Sequence, residues 1–342
     1  MPLPTIIDSV LTEWSTVSVV ETAHHRLLLQ GETIIGCELR APELRSQIAF
    51  AAMALMAFAV ASTLPAPRSV LCLGLGAGTV PHYLRTQRIV TDVVEYDHAV
   101  IRMASRHFLF GADDGAGGQV EHANAIELIE KGTPRSHAYD AILSDLWNGG
   151  HNGRAMRANY FVALRQSWLR SGGVLAVNLV AYVDGPHLSL AVRVVRTIRH
   201  VFEHVRCFLE FDPAEATPDE LQLEPSNVLC LASTDPVRLT PPAPTEERGD
   251  PPVGSMDWLH AHYHRWEAPR LEAAASGLEG EPLLSEDDWH SLAPERAAVA
   301  KGMREQQQRN GLLTHEEWRA LGTHLNSAVS ANSPSSSIKA EL

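Results

Sequence analysis

The chain has 342 residues, of which 45% are hydrophobic and 20% charged, and its formal net charge is −13 at pH 7. That composition belongs to a globular protein of one large or two smaller domains and excludes a collagenous or wholly disordered chain. The negative charge argues against nucleic acid and against an anionic membrane surface as partners, since both need a basic face.

Residues 1–47 read as a small β-rich unit. VSVVET (17–22), HRLLLQ (25–30) and ETIIGCEL (32–39) are short apolar runs, the last two separated by a turn at Gly31. The opening residues MPLPTIIDSV have neither a basic nor a long apolar stretch of signal-peptide type, so a cytoplasmic setting is expected. Cys37, Cys72, Cys207 and Cys230 each sit in an apolar run, with no two at metal-ligand spacing. They are expected to be buried, reduced thiols, and no metal is expected. Residues 48–64, IAFAAMALMAFAVASTL, carry no charge and reach the lower edge of a membrane-spanning length. Their alanine content, and the strand that follows at once, predict a buried helix instead, so no membrane contact is expected.

Residues 48–234 then read as a Rossmann-like domain. Strands are predicted at SVLCLGLG (69–76), VTDVVEYD (90–97), GQVEHANA (118–125, ending in a turn), YDAILSDLW (139–147) and GVLAVNLV (173–180). Helices are predicted over 98–108, over 157–170 with a stop at Ser171-Gly172-Gly173, and over 187–205. VRCFLEF (205–211) and SNVLCLAS (226–233) complete seven strands, with only an acidic loop between them. The alternation predicts an α/β fold with a mostly parallel sheet, and the last pair predicts an antiparallel closing strand. Residues 235–254 hold six prolines and read as a linker. Residues 255–326 read as a helical extension. Within it LLSEDDWHSL (283–292) and GLLTHEEWRAL (311–321) echo each other, with Ser285 and Thr314 as helix caps. The Ser-rich end, 327–342, reads as a disordered tail.

Four elements carry chemistry. Gly74, Gly76 and Gly78 follow the first strand of the domain, where glycines let the backbone turn and approach a ligand. The helix start after them offers N–H groups to an anion such as a carboxylate. Glu95 ends the second strand, 21 residues after Gly74, and suits a ribose diol; Asp97 is a nearby alternative. Asn124 follows the third strand, where it can meet an adenine edge. Asp145 ends the fourth. In open α/β sheets ligands bind at these strand ends, so the four together predict a nucleotide site. Trp147, Asn148, Tyr160 and Asn178 are candidates to line the rest of the pocket, with core packing the alternative for the aromatics.

Residues 17–233 resemble the spermidine synthase-like, class I S-adenosylmethionine-dependent methyltransferase-like family. The resemblance rests on VLCLGLGAGTVPHYLR, VVEYDHAVIRMASRHF, VEHANAIELIE, YDAILSDLWNGG and YFVALRQSWLRSGGVLAVNLV taken in that order. It implies S-adenosylmethionine, or its decarboxylated form, as the bound nucleoside, and it admits a homodimer. The chain departs from the family's aminopropyltransferases at the acids. Their glycine loop follows a GGGDGG pattern, and the aspartate position is Ala77 here. Their D-x-x-D-P is reduced to Asp145 followed by Asn148 and Gly149, their Leu-Asp-Gly is Leu29-Gln30-Gly31, and the adenine-side aspartate is Asn124. A diamine needs paired anions to offset its desolvation. The expected activity is therefore methyl transfer to an acceptor not readable here (a protein amine, a polyamine or a small molecule), with Asp145 orienting or deprotonating it. The alternatives are a divergent polyamine aminopropyltransferase and a non-catalytic scaffold.

Overall fold

The computed structural model describes residues 4–42, 44, 48–111, 117–132, 139–146, 153–211, 213, 224–240, 259, 263–277, 283–309, 313 and 321. Four strands come first: β1 (Thr5–Leu11), β2 (Thr16–Glu21), β3 (His25–Gln30) and β4 (Thr33–Leu39). They pair in chain order as an antiparallel sheet. β1 alternates exposed and half-buried residues and lacks the apolar run that reveals the other three.

Helix α1 (Ala51–Ala61) follows, with eight of its eleven residues buried. Its sequence is apolar on every side because it is covered on every side. It packs on the large sheet, and no helix among the described residues is long and apolar enough to cross a membrane.

The large sheet is built from β5 (Ser69–Leu73), β6 (Val90–Glu95), β7 (Val120–His122), β8 (Tyr139–Ser144), β9 (Leu169–Ala181), β10 (His204–Leu209) and β11 (Ser226–Ser233). Its order is β10-β11-β9-β8-β5-β6-β7. β7, β6, β5, β8 and β9 run parallel, while β11 is antiparallel to both β9 and β10. This is the expected α/β sheet with its closing antiparallel pair. Helices α1, α2 (Thr79–Thr86) and α3 (His98–His107) cover one face; α4 (Ala125–Glu130), α5 (Ala158–Ala163) and α6 (Ser189–Val201) cover the other. The helices α7 (Pro269–Ser276), α8 (Glu286–Ser291) and α9 (Ala293–Arg309) join that second face.

Local chemistry explains where two expectations shift. The helix expected over 157–170 is α5 plus one π-helical turn ending at Trp168, and the chain enters β9 at Leu169. Gly172, at a φ of 71°, sits in a bulge where Tyr139 pairs Leu169 but Ala141 pairs Val174. The glycines therefore bend a strand and do not stop the helix. Cys207 and Cys230 stand directly opposite each other on β10 and β11 and form a disulfide, so the expectation of four reduced thiols is corrected. Cross-strand pairing brings the two sulfur atoms within bonding reach, a proximity that 23 residues of sequence separation conceal. Cys37 and Cys72 are free and buried, and burial pushes both thiols up to about 12.

The small sheet is fastened to the large one beside the glycine loop. Glu38 on β4 accepts a hydrogen bond from the Leu109 amide, and His107 at the end of α3 meets Asp8 on β1 at 2.8 Å. Gly36 on β4 lies so close to the loop that a Cβ there would stand 2.3 Å from the Cβ of Ala77. Gly36→Ala is therefore expected to cost about 1–3 kcal/mol, read from the denaturant midpoint.

Candidate functional site

A cleft of about 950 Å³ opens at the carboxyl ends of the parallel strands. Part of its floor is the turn from β5 into α2. Gly74 has a φ of 98°, and a Cβ there would come within 2.3 Å of the Asp145 carbonyl oxygen. Only glycine combines that φ with that approach. Gly76 and Ala77 also line the cleft, whereas Gly78 does not; it caps α2 and packs against Phe110. Helix α2 starts without a side-chain cap and without an acidic residue in its first turn. The amides of Thr79 and Val80 are left for water or a ligand; Pro81 has none.

Glu95, at the tip of β6, is bonded on both oxygens. Its Oε2 accepts from the Leu75 amide at 3.0 Å and its Oε1 from the Asp97 amide at 2.8 Å. The carboxylate thus fixes the glycine loop to the strand tip and keeps unused lone pairs for a diol. Asp97, the nearby alternative, also lines the cleft and is 6% exposed. Its Oδ1 caps α3 by accepting from the Ala99 amide at 2.8 Å, and its Oδ2 is buried without a partner. Asn124 caps α4, its Oδ1 accepting from the amides of Ile126 and Glu127, while the residue still borders the cleft.

Asp145 begins a polar chain that runs across the sheet. Its Oδ1 accepts from Asn178 Nδ2 at 2.9 Å, and the same amide reaches Asn227 Oδ1 at 3.0 Å. Asn227 Nδ2 in turn donates to both oxygens of Glu210, at 3.1 and 3.2 Å. All four residues line the cleft. Burial pushes the carboxyls of Glu95, Asp145 and Glu210 above their ordinary values, against the hydrogen bonds that favour ionisation.

No family model matches the chain. The N-terminal histidine N-methyltransferase of Emericella nidulans is 28% identical over 182 residues, which are 53% of this chain and 31% of that protein. The polyamine aminopropyltransferase of Vibrio vulnificus is 31% identical over 116 residues, 33% of this chain and 38% of that one. The chain thus spans about a third of the length of the curated relatives it matches. The crystal structure of a probable spermidine synthase from Corynebacterium glutamicum superposes with a TM-score of 0.58 at 17% identity, covering 84% of this chain and 99% of that one. A spermidine synthase in complex with the transition state analogue AdoDATO does so with a TM-score of 0.52 at 18% identity, covering 67% and 74%. This is a spermidine synthase-like fold.

The cleft gathers Gly74, Gly76, Glu95, Asn124, Asp145 and Asn178. Tyr160 is not among its walls: it is wholly buried beside Phe161, because α5 packs between α4 and α6 and turns both rings inward. Trp147 and Asn148 lie outside the described residues. Other wall residues gave no sequence signal. Trp14, from the β1–β2 turn, lies at the rim with its ring 5.1 Å from that of Tyr96. Glu210 follows β10 and Asn227 lies on β11, at the end of the sheet remote from the glycine loop, and Met303, Gln306 and Gln307 come from α9, beyond the resembling region.

Two outcomes are expected. Glu95→Ala weakens S-adenosylhomocysteine binding at least about thirtyfold, or about 2 kcal/mol, because hydrogen bonds to a charged group are each worth about 1.5–3 kcal/mol; calorimetry reads the loss. Asp145→Asn keeps an acceptor for Asn178 and removes a charge that burial disfavours. A carboxyl whose pKa is raised on folding makes stability fall as pH rises from the ordinary value, 3.8, through the raised one. The stability of Asp145→Asn relative to the parent therefore increases across that window and then levels off, as thermal unfolding against pH will record.

Proposed function

We propose that the chain is an S-adenosylmethionine-dependent methyltransferase acting on a nitrogen acceptor. The observation that carries this reading is the start of α2. Intact S-adenosylmethionine ends in a carboxylate beside its ammonium, whereas the decarboxylated donor of aminopropyl transfer ends in an ammonium alone. An uncapped helix start with free amides suits the carboxylate. An aminopropyl donor calls for an acid in the loop, and the residue there is Ala77, 2% exposed and packed over Gly36. The methyltransferase from Emericella nidulans, matched over 53% of this chain, supports the same choice.

The donor supplies a methyl group on a sulfonium, already a good leaving group. The protein's part is alignment and proton handling. Glu95 holds the sugar and the glycine loop holds the amino-acid end. Asp145, one strand over from β5, accepts an N–H of the acceptor and so turns its lone pair toward the methyl carbon. The acceptor nitrogen forms the new C–N bond as the C–S pair returns to sulfur. The proton that nitrogen sheds goes to Asp145 or to water. Burial, which favours the neutral carboxyl, suits Asp145 to receive it.

A divergent polyamine aminopropyltransferase is the second reading. It is favoured by the presence of two carboxylates, Asp145 and Glu210, along one cleft, since a dication needs paired anions. Calorimetry with the two donors separates the readings. Intact S-adenosylmethionine is expected to bind at least about tenfold more tightly than the decarboxylated form, one charge-assisted contact being worth that much. Tighter binding of the decarboxylated donor, with spermidine formed from putrescine, would establish the second reading instead.

A further inference from the structure

The two echoing segments of the helical extension seat on different sheets. Leu284 and Leu292 of the first are buried in the core on the second face of the large sheet. Leu313 and Leu321, at the equivalent positions of the second, are buried with Val20, Leu27, Leu29, Ile34 and Cys37 of the small sheet. Helix α9 joins them. Its first half is fixed to the large sheet's side of the molecule: Ser189 donates to Glu295 at 3.1 Å, and Tyr182 donates to the Ala298 carbonyl at 3.4 Å. Gly302 lets the helix pass close, since a Cβ there would lie 2.7 Å from the Tyr182 hydroxyl. The extension thus ties the two sheets together from outside.

The far end of α9 meets β4, the outermost strand of the small sheet. An edge strand leaves backbone groups without a partner strand. At Ile34 the Gln307 side chain takes both of them, its Oε1 accepting from the amide at 3.2 Å and its Nε2 donating to the carbonyl at 3.3 Å. A side-chain amide carries the donor and the acceptor that a neighbouring strand would offer. The next two residues of β4 support the glycine loop. A Cβ on Gly76 would lie 2.5 Å from the Ile35 carbonyl oxygen, and one on Gly36 would lie 2.5 Å from the Ala77 amide nitrogen. At such separations strand and loop cannot shift independently. The same loop gives its Leu75 amide to Glu95 at 3.0 Å. An unbroken series of contacts therefore runs from Gln307 through Ile34, Ile35 and Gly76 to Glu95.

We infer that Gln307 is a positioning residue for the nucleoside: by fixing the edge of β4 it sets the glycine loop, so that docking of the extension and binding of the nucleoside favour each other. The inference rests on the S-adenosylmethionine reading and adds a control carried by a segment outside the Rossmann-like domain. The two states are α9 bonded to β4 and α9 released from it. The nucleoside binds the first better, because there the loop is held at its spacing from Glu95. Coupling of this kind is reciprocal, so the bound nucleoside holds the extension down by the same factor.

The test uses the full chain and S-adenosylhomocysteine, with calorimetry for affinity and hydrogen exchange for the backbone. Gln307→Ala removes both bonds to Ile34. Leu313→Ala loosens the second echo within the small-sheet core, away from the cleft. Each variant is expected to bind S-adenosylhomocysteine at least about fivefold more weakly, the lower end of coupling between sites. In the free protein Gln307→Ala is expected to speed exchange of the Ile34 amide. In the parent, saturating ligand is expected to slow exchange at Leu313 and Leu321, and Gln307→Ala to lose that effect while the ligand still protects residues 74–80. A strap with only a structural role would lower the melting temperature and leave the affinity and the ligand-dependent exchange as in the parent. Affinity within about twofold of the parent in either variant, or exchange at Leu313 and Leu321 indifferent to ligand in the parent, would overturn the inference. Failure of the parent to bind S-adenosylhomocysteine would instead remove the nucleoside reading beneath it.

Discussion

The carboxylate of Glu95 grips two backbone amides, one from the glycine loop and one from the turn into α3. That contact sets the distance between the tip of β6 and the loop after β5, and so the shape of this end of the cleft. It has a cost, because burial works against ionisation at this position. Backbone donors on both oxygens offset part of the cost, and a sugar diol would offset more. The loop is held from below as well. Gly74 meets the Asp145 carbonyl and Gly36 meets Ala77, each at a separation that excludes a side chain. Two sheets and a carboxylate thus converge on five residues.

The two ends of the cleft are organised differently. Over β5 and β6 the site is made of backbone, with glycines, uncapped amides and a single acid. Over β8, β9, β11 and β10 it is made of side chains, in the unbroken run Asp145, Asn178, Asn227 and Glu210. The antiparallel strand β11 makes the run continuous, because it is inserted between β9 and β10 and brings Asn227 to the same edge as Asn178. The helical extension then bridges that edge to the small sheet through Gln307 and Ile34.

Much of the scaffold could be read from the chain alone because it depends on local pattern. The buried strands are continuous apolar runs, and α1 is apolar on all sides because it is buried on all sides. Ser285 and Asp288 form the capping box their spacing implies. Gly74, Gly76, Glu95 and Asp145 fall at strand ends, where topology alone makes them neighbours. What escaped depends on contacts between distant segments. β1 has too little apolar content to stand out, yet it pairs with β2 along its length, with a bulge between Ile6 and Asp8. Cys207 and Cys230 are bonded only because two strands align, and Tyr160 is core only because α5 lies between two other helices. Glu210 follows an ordinary strand, and nothing local distinguishes it from the acidic residues that come after it. The α9 residues belong to a segment outside any motif, so no pattern ties them to the cleft.

The central claim is that Glu95 receives the hydroxyls of a ribose. The most direct measurement compares the affinity of S-adenosylhomocysteine with that of its 2′-deoxy analogue. Loss of one hydroxyl should weaken binding about tenfold or more, since it leaves a charged acceptor without its donor. In Glu95→Ala the two ligands should bind alike. Equal affinity for both ligands in the parent protein would contradict the placement of the sugar and, with it, the proposed methyltransferase reading.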